Sequence, residues 1–113
     1  MVQREFSPGV GCLQQVRRFV ELATSPESLG LVIVTVELAD HVLRHATSPF
    51  TVSLVGRAPG RLELSDGDSI LPAVQDLLHD EAGLGFTIIQ GLVAQWGLTT
   101  TRTGRSVWAV LAV

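Results

Sequence analysis

The sequence has little cysteine, little charge and no long hydrophobic run. Cys12 is the single cysteine, so an internal disulfide and a cysteine-based zinc cluster are both excluded. The most apolar run, "LGLVIVTVELA", is interrupted by Glu37 well before the roughly 20 residues that a membrane span requires. Residues 1–13 mix charge, proline and glycine and lack the apolar centre of a secretory signal. We therefore expect a cytoplasmic protein that does not enter a membrane.

An excess of basic residues is also missing. The formal net charge is -3 at pH 7, and no basic stripe is visible that could neutralise nucleic-acid phosphates. Direct binding to nucleic acid is therefore not expected, and the expected partner is a protein or a small molecule. The 113 residues, 46% hydrophobic and 17% charged, are enough for one packed core and too few for two. We expect a single domain over residues 1–113.

The first half of the chain predicts two helices. Apolar residues recur at helical spacing over residues 12–24, which predicts the first helix. Ser25 and Pro26 are typical of a helix start, so we expect a second helix from about Pro26 to Ala46. The β-branched run "LVIVTV" has strand propensity, but no turn residue separates it from the helical sequence that follows. A continuous apolar stripe also favours the helix: Leu31, Val34, Leu38 and Val42.

The second half of the chain predicts two hairpins and two more helices. Apolar residues alternate with polar ones on both sides of the turn "GRAPG", which predicts an antiparallel hairpin: Phe50, Val52, Leu54, Leu62 and Leu64. A weak helix is expected over 70–83, a stronger helix over 83–97, and a hairpin that pairs 98–102 with 106–113. This order predicts an α+β two-layer sandwich, in which helices cover one face of a mainly antiparallel mixed sheet.

Three titratable residues recur every four positions in the second predicted helix. Glu37, His41 and His45 would therefore rise from one helix face. The two histidines have a spacing found in zinc sites, but the glutamate of HExxH is missing, and a third ligand would have to be Glu37, Asp66 or His79. A Ser-His-Asp triad lacks its nucleophile elbow, and the "GLG" of residues 83–85 lacks the third glycine of a dinucleotide fingerprint.

Purely structural roles explain the same residues. Glu37 and His41 fit a solvated polar helix edge. Asp66 and the glycine after it fit an ordinary turn at the end of a strand. The glycines of "GLG" fit a loop that leads into a helix. Taken one at a time, these residues therefore predict no particular chemistry.

Four segments in a fixed order favour a functional interpretation: "VELADHVLRHA", "LELSDGDS", "AGLGFTIIQGLVAQWGL" and "TGRSVWAVL". Together they resemble the Bergerat-type ATP-binding domain of histidine kinases, and in particular the bacterial anti-sigma factor serine/threonine kinases of the RsbW type. The resemblance implies the Bergerat fold, ATP and magnesium as cofactors, and a role in transcription regulation. It also implies two protein partners, a sigma factor and an anti-anti-sigma (STAS) protein.

The first of these segments departs from the family at one position. By resemblance, Glu37 is the catalytic glutamate that polarises the attacking hydroxyl or water. The family has an asparagine four residues later, which binds the magnesium that bridges the ATP phosphates, and here His41 takes that cofactor-binding position. Imidazole is a poor magnesium ligand, and phosphoryl transfer without the metal loses its main charge stabilisation. We therefore expect a degenerate active site with weakened catalysis.

The remaining cofactor-binding residues also follow from the resemblance. Asp66 matches the aspartate that receives the adenine amino group, and Gly67 matches the glycine beside it. Gly83 and Gly85 match the glycines where a lid meets the next helix, whose backbone amides can hold phosphate oxygens. Ser106 occupies the place of a threonine near adenine in a late strand.

Two functions follow for the chain. The first is an anti-sigma-factor-like serine/threonine protein kinase, dependent on ATP and weakened in catalysis. The alternative is a catalytically inactive protein-binding switch that has lost nucleotide binding. Asp68 and the acidic segment 70–82, which contains no lysine or arginine, favour weak ATP binding. The high apolar fraction also predicts an exposed hydrophobic patch that serves a homodimer or a partner.

Overall fold

Five strands and four helices make up the part of the chain that the computed structural model describes. That part comprises residues 1–25, 28–55, 60–66, 70–78, 85–101 and 104–112. In chain order the elements are β1 (Val2–Phe6), α1 (Cys12–Ala23), α2 (Leu29–Leu43), β2 (Phe50–Val55), β3 (Arg61–Asp66), α3 (Ile70–Leu78), α4 (Gly85–Leu92), β4 (Val93–Thr101) and β5 (Gly104–Leu111).

The five strands form one sheet in the order β1-β2-β3-β5-β4. All four pairings between the described strands are antiparallel, so the predicted α+β class is confirmed and the predicted mixed character of the sheet is wrong. The hairpin of β2 and β3 has the register that alternation predicted, with Val52 opposite Leu64 and Leu54 opposite Leu62.

The helices cover one face of this sheet. Side chains alternate between the two faces of a strand, and residues directly opposite each other share a face. The buried residues of the three central strands therefore lie on one face and join the helices in a single core: Val52, Leu54, Leu62, Leu64, Val107 and Ala109. Glu63 and Trp108, which are paired with each other, lie on the opposite face.

Helix α2 lies at the centre of the helical layer. It contacts α1, α3, α4 and β3, and most of its residues are buried: Leu31, Val32, Val34, Thr35, Leu38, Ala39, His41 and Val42. A helix that is apolar almost all round is stable only when it is enclosed in this way, which explains why a β-branched run forms a helix here. Within the described residues, every helix is too short or too polar to reach across a membrane.

Several element boundaries differ from those predicted. Strand β1 was not expected, because only Phe6 of its five residues is buried and the others show no apolar alternation. The residue that precedes α2 is Ser28 and not Ser25, and Pro26 lies outside the described residues. The predicted helix to Gly97 ends at Leu92, because the residues that follow pair with β5.

Candidate functional site

Glu37 and His41 lie in contact on α2. They are one helical turn apart, so their side chains rise from the same face. The Nε2 atom of His41 lies 3.4 Å from Oε1 of Glu37. The His41 side chain is only 1% exposed and that of Glu37 is 28% exposed. The pair therefore crosses the boundary between core and surface, with the imidazole on the inner side.

Asp40 brings a second carboxylate to this pair. The ligand atoms of Glu37, Asp40 and His41 all lie within 4.8 Å of one another. Oδ2 of Asp40 also accepts a hydrogen bond from Arg44 at 3.0 Å. Two carboxylates and an imidazole suit transition metals. Magnesium prefers hard oxygen ligands in octahedral geometry, so the carboxylates suit it and the imidazole does not. Sequence reasoning missed Asp40, although its three-residue spacing from Glu37 predicts proximity on a helix.

His45 does not join this cluster. The predicted second helix placed His45 on the same face as His41, but α2 ends at Leu43. The backbone N–H of His45 donates to the carbonyl oxygen of Val42 at 3.0 Å, and its side chain is exposed. The described cluster of metal-ligating atoms contains His41 and not His45. His79, a predicted third zinc ligand, lies outside the described residues.

The residues expected to hold adenine and phosphate lie next to, or within, segments of the chain that the structure does not describe. Asp66 is the last residue of β3, where it pairs with Arg105 of β5, and its side chain is outside the description. Gly67 and Gly83 are outside it as well. Gly85 is the first residue of α4. The cofactor-binding roles of these four residues stay predictions.

Ser106 lies in β5 and is 1% exposed. It pairs with Ser65 on one side and with Thr99 on the other. Because side chains alternate along a strand, Ser106 points away from the face on which Val107 packs against the helices. Its Oγ has no hydrogen-bond partner among the described residues. Ser106 and Glu37 therefore lie on different sides of the sheet.

Two surface cavities lie beside α1, away from the α2 cluster. The first, of about 300 Å³, lies between α1 and α2: Arg17, Glu21, Thr24, Ser25, Leu29 and Val32 line it. The second, of about 350 Å³, lies between β1 and α1. Neither cavity is lined by Glu37, His41 or Ser106. Sequence reasoning missed the second cavity because it did not predict β1.

Similarity to other proteins does not assign a function to these sites. The chain matches no family model, and no curated protein sequence matches it. A functional interpretation therefore depends on the residues themselves and on their geometry.

Proposed function

We propose that the protein is an anti-sigma-factor-like regulator, built on the Bergerat fold of ATP-binding serine/threonine protein kinases and weakened in catalysis. The order and spacing of the four sequence segments support this proposal. The architecture is compatible with it, since helices cover one face of an antiparallel sheet. Glu37 lies on the central helix, and Asp66 lies at the end of a central strand.

The contact between His41 and Glu37 carries the proposal of weakened catalysis. In an active site of this type, the position of His41 would supply an oxygen ligand to magnesium, and Glu37 would face the attacking hydroxyl. Here the buried imidazole lies 3.4 Å from the Glu37 carboxylate. The imidazole therefore replaces the hard ligand and lies beside the carboxylate that would act on the nucleophile.

The proposed regulator has a nucleotide, a metal ion and two protein partners. ATP is the nucleotide, and magnesium is a weakly bound metal ion beside its phosphates. A sigma factor is the protein that the chain silences, and an anti-anti-sigma (STAS) protein carries the serine or threonine that the chain would phosphorylate. A homodimer is the proposed assembly. The nucleotide, the metal and the two protein partners follow from the resemblance, whereas the homodimer follows from the high apolar fraction of the chain.

A calorimetric titration with ATP and magnesium tests the nucleotide site. The substitution His41→Asn supplies the missing amide oxygen, so we expect magnesium-dependent ATP binding to strengthen roughly tenfold, the effect of one additional metal ligand worth about 1.4 kcal/mol. The matched control is His45→Asn, which makes the same change at an exposed position outside the cluster. The control should leave the affinity unchanged.

A second variant tests the adenine contact independently. Asp66→Asn removes the carboxylate that would receive the adenine amino group, and it should abolish ATP binding with or without magnesium. If neither the natural protein nor His41→Asn binds ATP in the calorimeter, the nucleotide-binding proposal is wrong. The protein-binding switch without nucleotide then takes its place, an alternative that the contact between His41 and Glu37 also favours.

A further inference from the structure

The cavity between β1 and α1 is an open groove lined by apolar residues and two arginines. Its lining consists of two residues from the strand and five from the helix: Val2, Arg4, Gln15, Arg18, Phe19, Leu22 and Ala23. Two of the apolar lining residues are unusually exposed, Leu22 at 76% and Val2 at 47%. Apolar side chains at such exposure, grouped around one groove, are typical of a binding surface.

One wall of the groove is an open sheet edge. Strand β1 is the outermost strand of the sheet and pairs only with β2 among the described strands. Val2 and Arg4 lie opposite Leu54 and Val52, on the face that the helices cover elsewhere. Leu54 and Val52 are buried, whereas Val2 and Arg4 are exposed. The helical layer therefore stops short of this end of β1 and leaves room for another segment.

Two arginines, Arg4 and Arg18, line the groove. Among the described residues, Arg4 and Arg18 have no carboxylate within 4.0 Å, whereas the neighbouring Arg17 pairs with Glu21 at 3.0 Å. The Arg4 guanidinium lies 5.0 Å from the centre of the Phe6 ring, a contact that leaves its N–H donors available. In a chain with a net charge of -3, this groove is a local site of positive charge.

We propose that this groove binds an extended acidic and apolar segment of a protein partner, which adds to the open edge of β1 as a sixth strand. A strand that adds to a sheet edge gains main-chain hydrogen bonds and directs alternate side chains toward the same face. Apolar side chains on that face would contact Leu22 and Val2. A carboxylate between them would accept charge-assisted hydrogen bonds from Arg4 and Arg18.

This binding surface is independent of the proposed nucleotide site. The groove is formed by β1 and α1, whereas the proposed ATP site involves α2 and the end of β3. Loss of ATP binding would leave the groove intact, and loss of peptide binding would leave the ATP titration unchanged. The two proposals can therefore fail separately.

A pair of synthetic peptides tests the proposal. The probe is an N-acetylated, fluorescein-labelled peptide of sequence TLTETLT, whose leucines and glutamate share one face when the peptide is extended. The control peptide, TLTKTLT, differs only at its central residue, where lysine reverses the charge. Fluorescence polarisation measures affinity, and amide chemical shifts of the labelled protein locate the site. We expect the glutamate peptide to bind roughly tenfold more tightly than the lysine peptide and to shift amides of β1 and α1.

Matched substitutions on α1 identify the charge that matters. Arg18→Gln should weaken binding of the glutamate peptide roughly tenfold, the effect of one charge-assisted hydrogen bond. Arg17→Gln is the control, because Arg17 is adjacent in sequence but lines the other cavity. N-methylation of alternate backbone amides in the peptide tests strand addition. One alternate set should abolish binding and the other should not, because successive N–H groups of a strand point to opposite edges.

Several results would overturn the proposal. One is equal affinity for the glutamate and lysine peptides, and another is an equal effect of Arg17→Gln and Arg18→Gln. Changes in amide chemical shift confined to β4, the other edge strand of the sheet, would place the docking site elsewhere. Absence of binding at about 1 mM peptide, a concentration that detects complexes as weak as roughly -4 kcal/mol, would also reject it.

Discussion

Cys12 is a buried thiol in the first turn of α1, and its position determines its titration. It is 2% exposed, and burial raises the pKa of its thiol. The unfolded chain therefore loses the Cys12 proton at lower pH than the folded protein does. The free energy of unfolding therefore has its full value below the pKa of the thiol in the unfolded chain, about 8.5. It falls as the pH rises toward the higher pKa of the thiol in the folded protein. We expect the free energy of unfolding, measured in urea, to fall with rising pH above this point.

The variant Cys12→Ala is the control for this pH dependence. Alanine does not titrate, so the fall in the free energy of unfolding above about pH 8.5 should become smaller. Thiol reagents provide a second measurement, since they react with the thiolate and require access to it. Cys12 should react slowly in the folded protein and rapidly in urea. An unchanged pH slope in Cys12→Ala would contradict the argument.

Single residues of the α2 cluster show which parts of a site can be predicted from sequence. The contact between Glu37 and His41 was predictable, because a four-residue spacing determines proximity on any helix. The absence of His45 from the cluster was not predictable in this way, because it depends on where α2 ends. The face of Ser106 depends on strand register, which the local sequence did not indicate.

At the scale of an element, Gly97 allows β4 to pass beneath a tryptophan. Gly97 lies directly opposite Trp108 on β5. A Cβ atom at Gly97 would lie 2.8 Å from Cζ2 of the Trp108 ring, closer than such atoms approach. The ring also has the Arg61 guanidinium 5.0 Å from its centre, which limits its movement. We expect Gly97→Ala to destabilise the protein by about 1–3 kcal/mol in urea unfolding.

The same substitution at another glycine should have the opposite effect. A Cβ atom at Gly91, in α4, would meet nothing within 4 Å. Alanine favours a helix over glycine by up to about 1 kcal/mol, so Gly91→Ala should stabilise the protein. Tryptophan fluorescence should change only in Gly97→Ala. Equal effects of the two variants on the free energy of unfolding would show that the contact with Trp108 does not explain the effect of Gly97→Ala.

Helix α2 and strand β4 show why some elements were predicted and others were not. The apolar stripe of α2 has a helical period and is enclosed on several sides, so pattern and packing agree. The residues from Val93 to Gly97 also fit a helical period, and they were predicted as helix. Pairing of Trp96 with Ala109 on β5 overrides that local pattern. Local periodicity therefore identified α2 and misplaced the end of α4.

At the scale of the whole molecule, the sequence predicted the helical layer and the central hairpin but not the edge of the sheet. Both predicted strands of that hairpin alternate clearly, so their pairing followed from local pattern. Strand β1 has one buried residue and four exposed ones, and only its pairing with β2 defines it. Alternation of apolar and polar residues reflects one face packed on the core, so a strand whose groove face is covered only at Phe6 lacks this signal.

Phe6 is the residue that joins this edge strand to the rest of the fold. It is 2% exposed, and its ring centre lies 5.7 Å from that of Phe19 on α1 and 6.0 Å from that of Phe50 on β2. We expect Phe6→Ala to lower the free energy of unfolding by about 3–5 kcal/mol, a large part of the 5–15 kcal/mol typical of a domain. Val2→Ala, at the exposed end of β1, should change it by less than about 0.5 kcal/mol in the same urea titration. If Phe6→Ala lowers the free energy of unfolding as little as Val2→Ala does, β1 is not part of the cooperative core. The groove beside it then lacks a fixed wall.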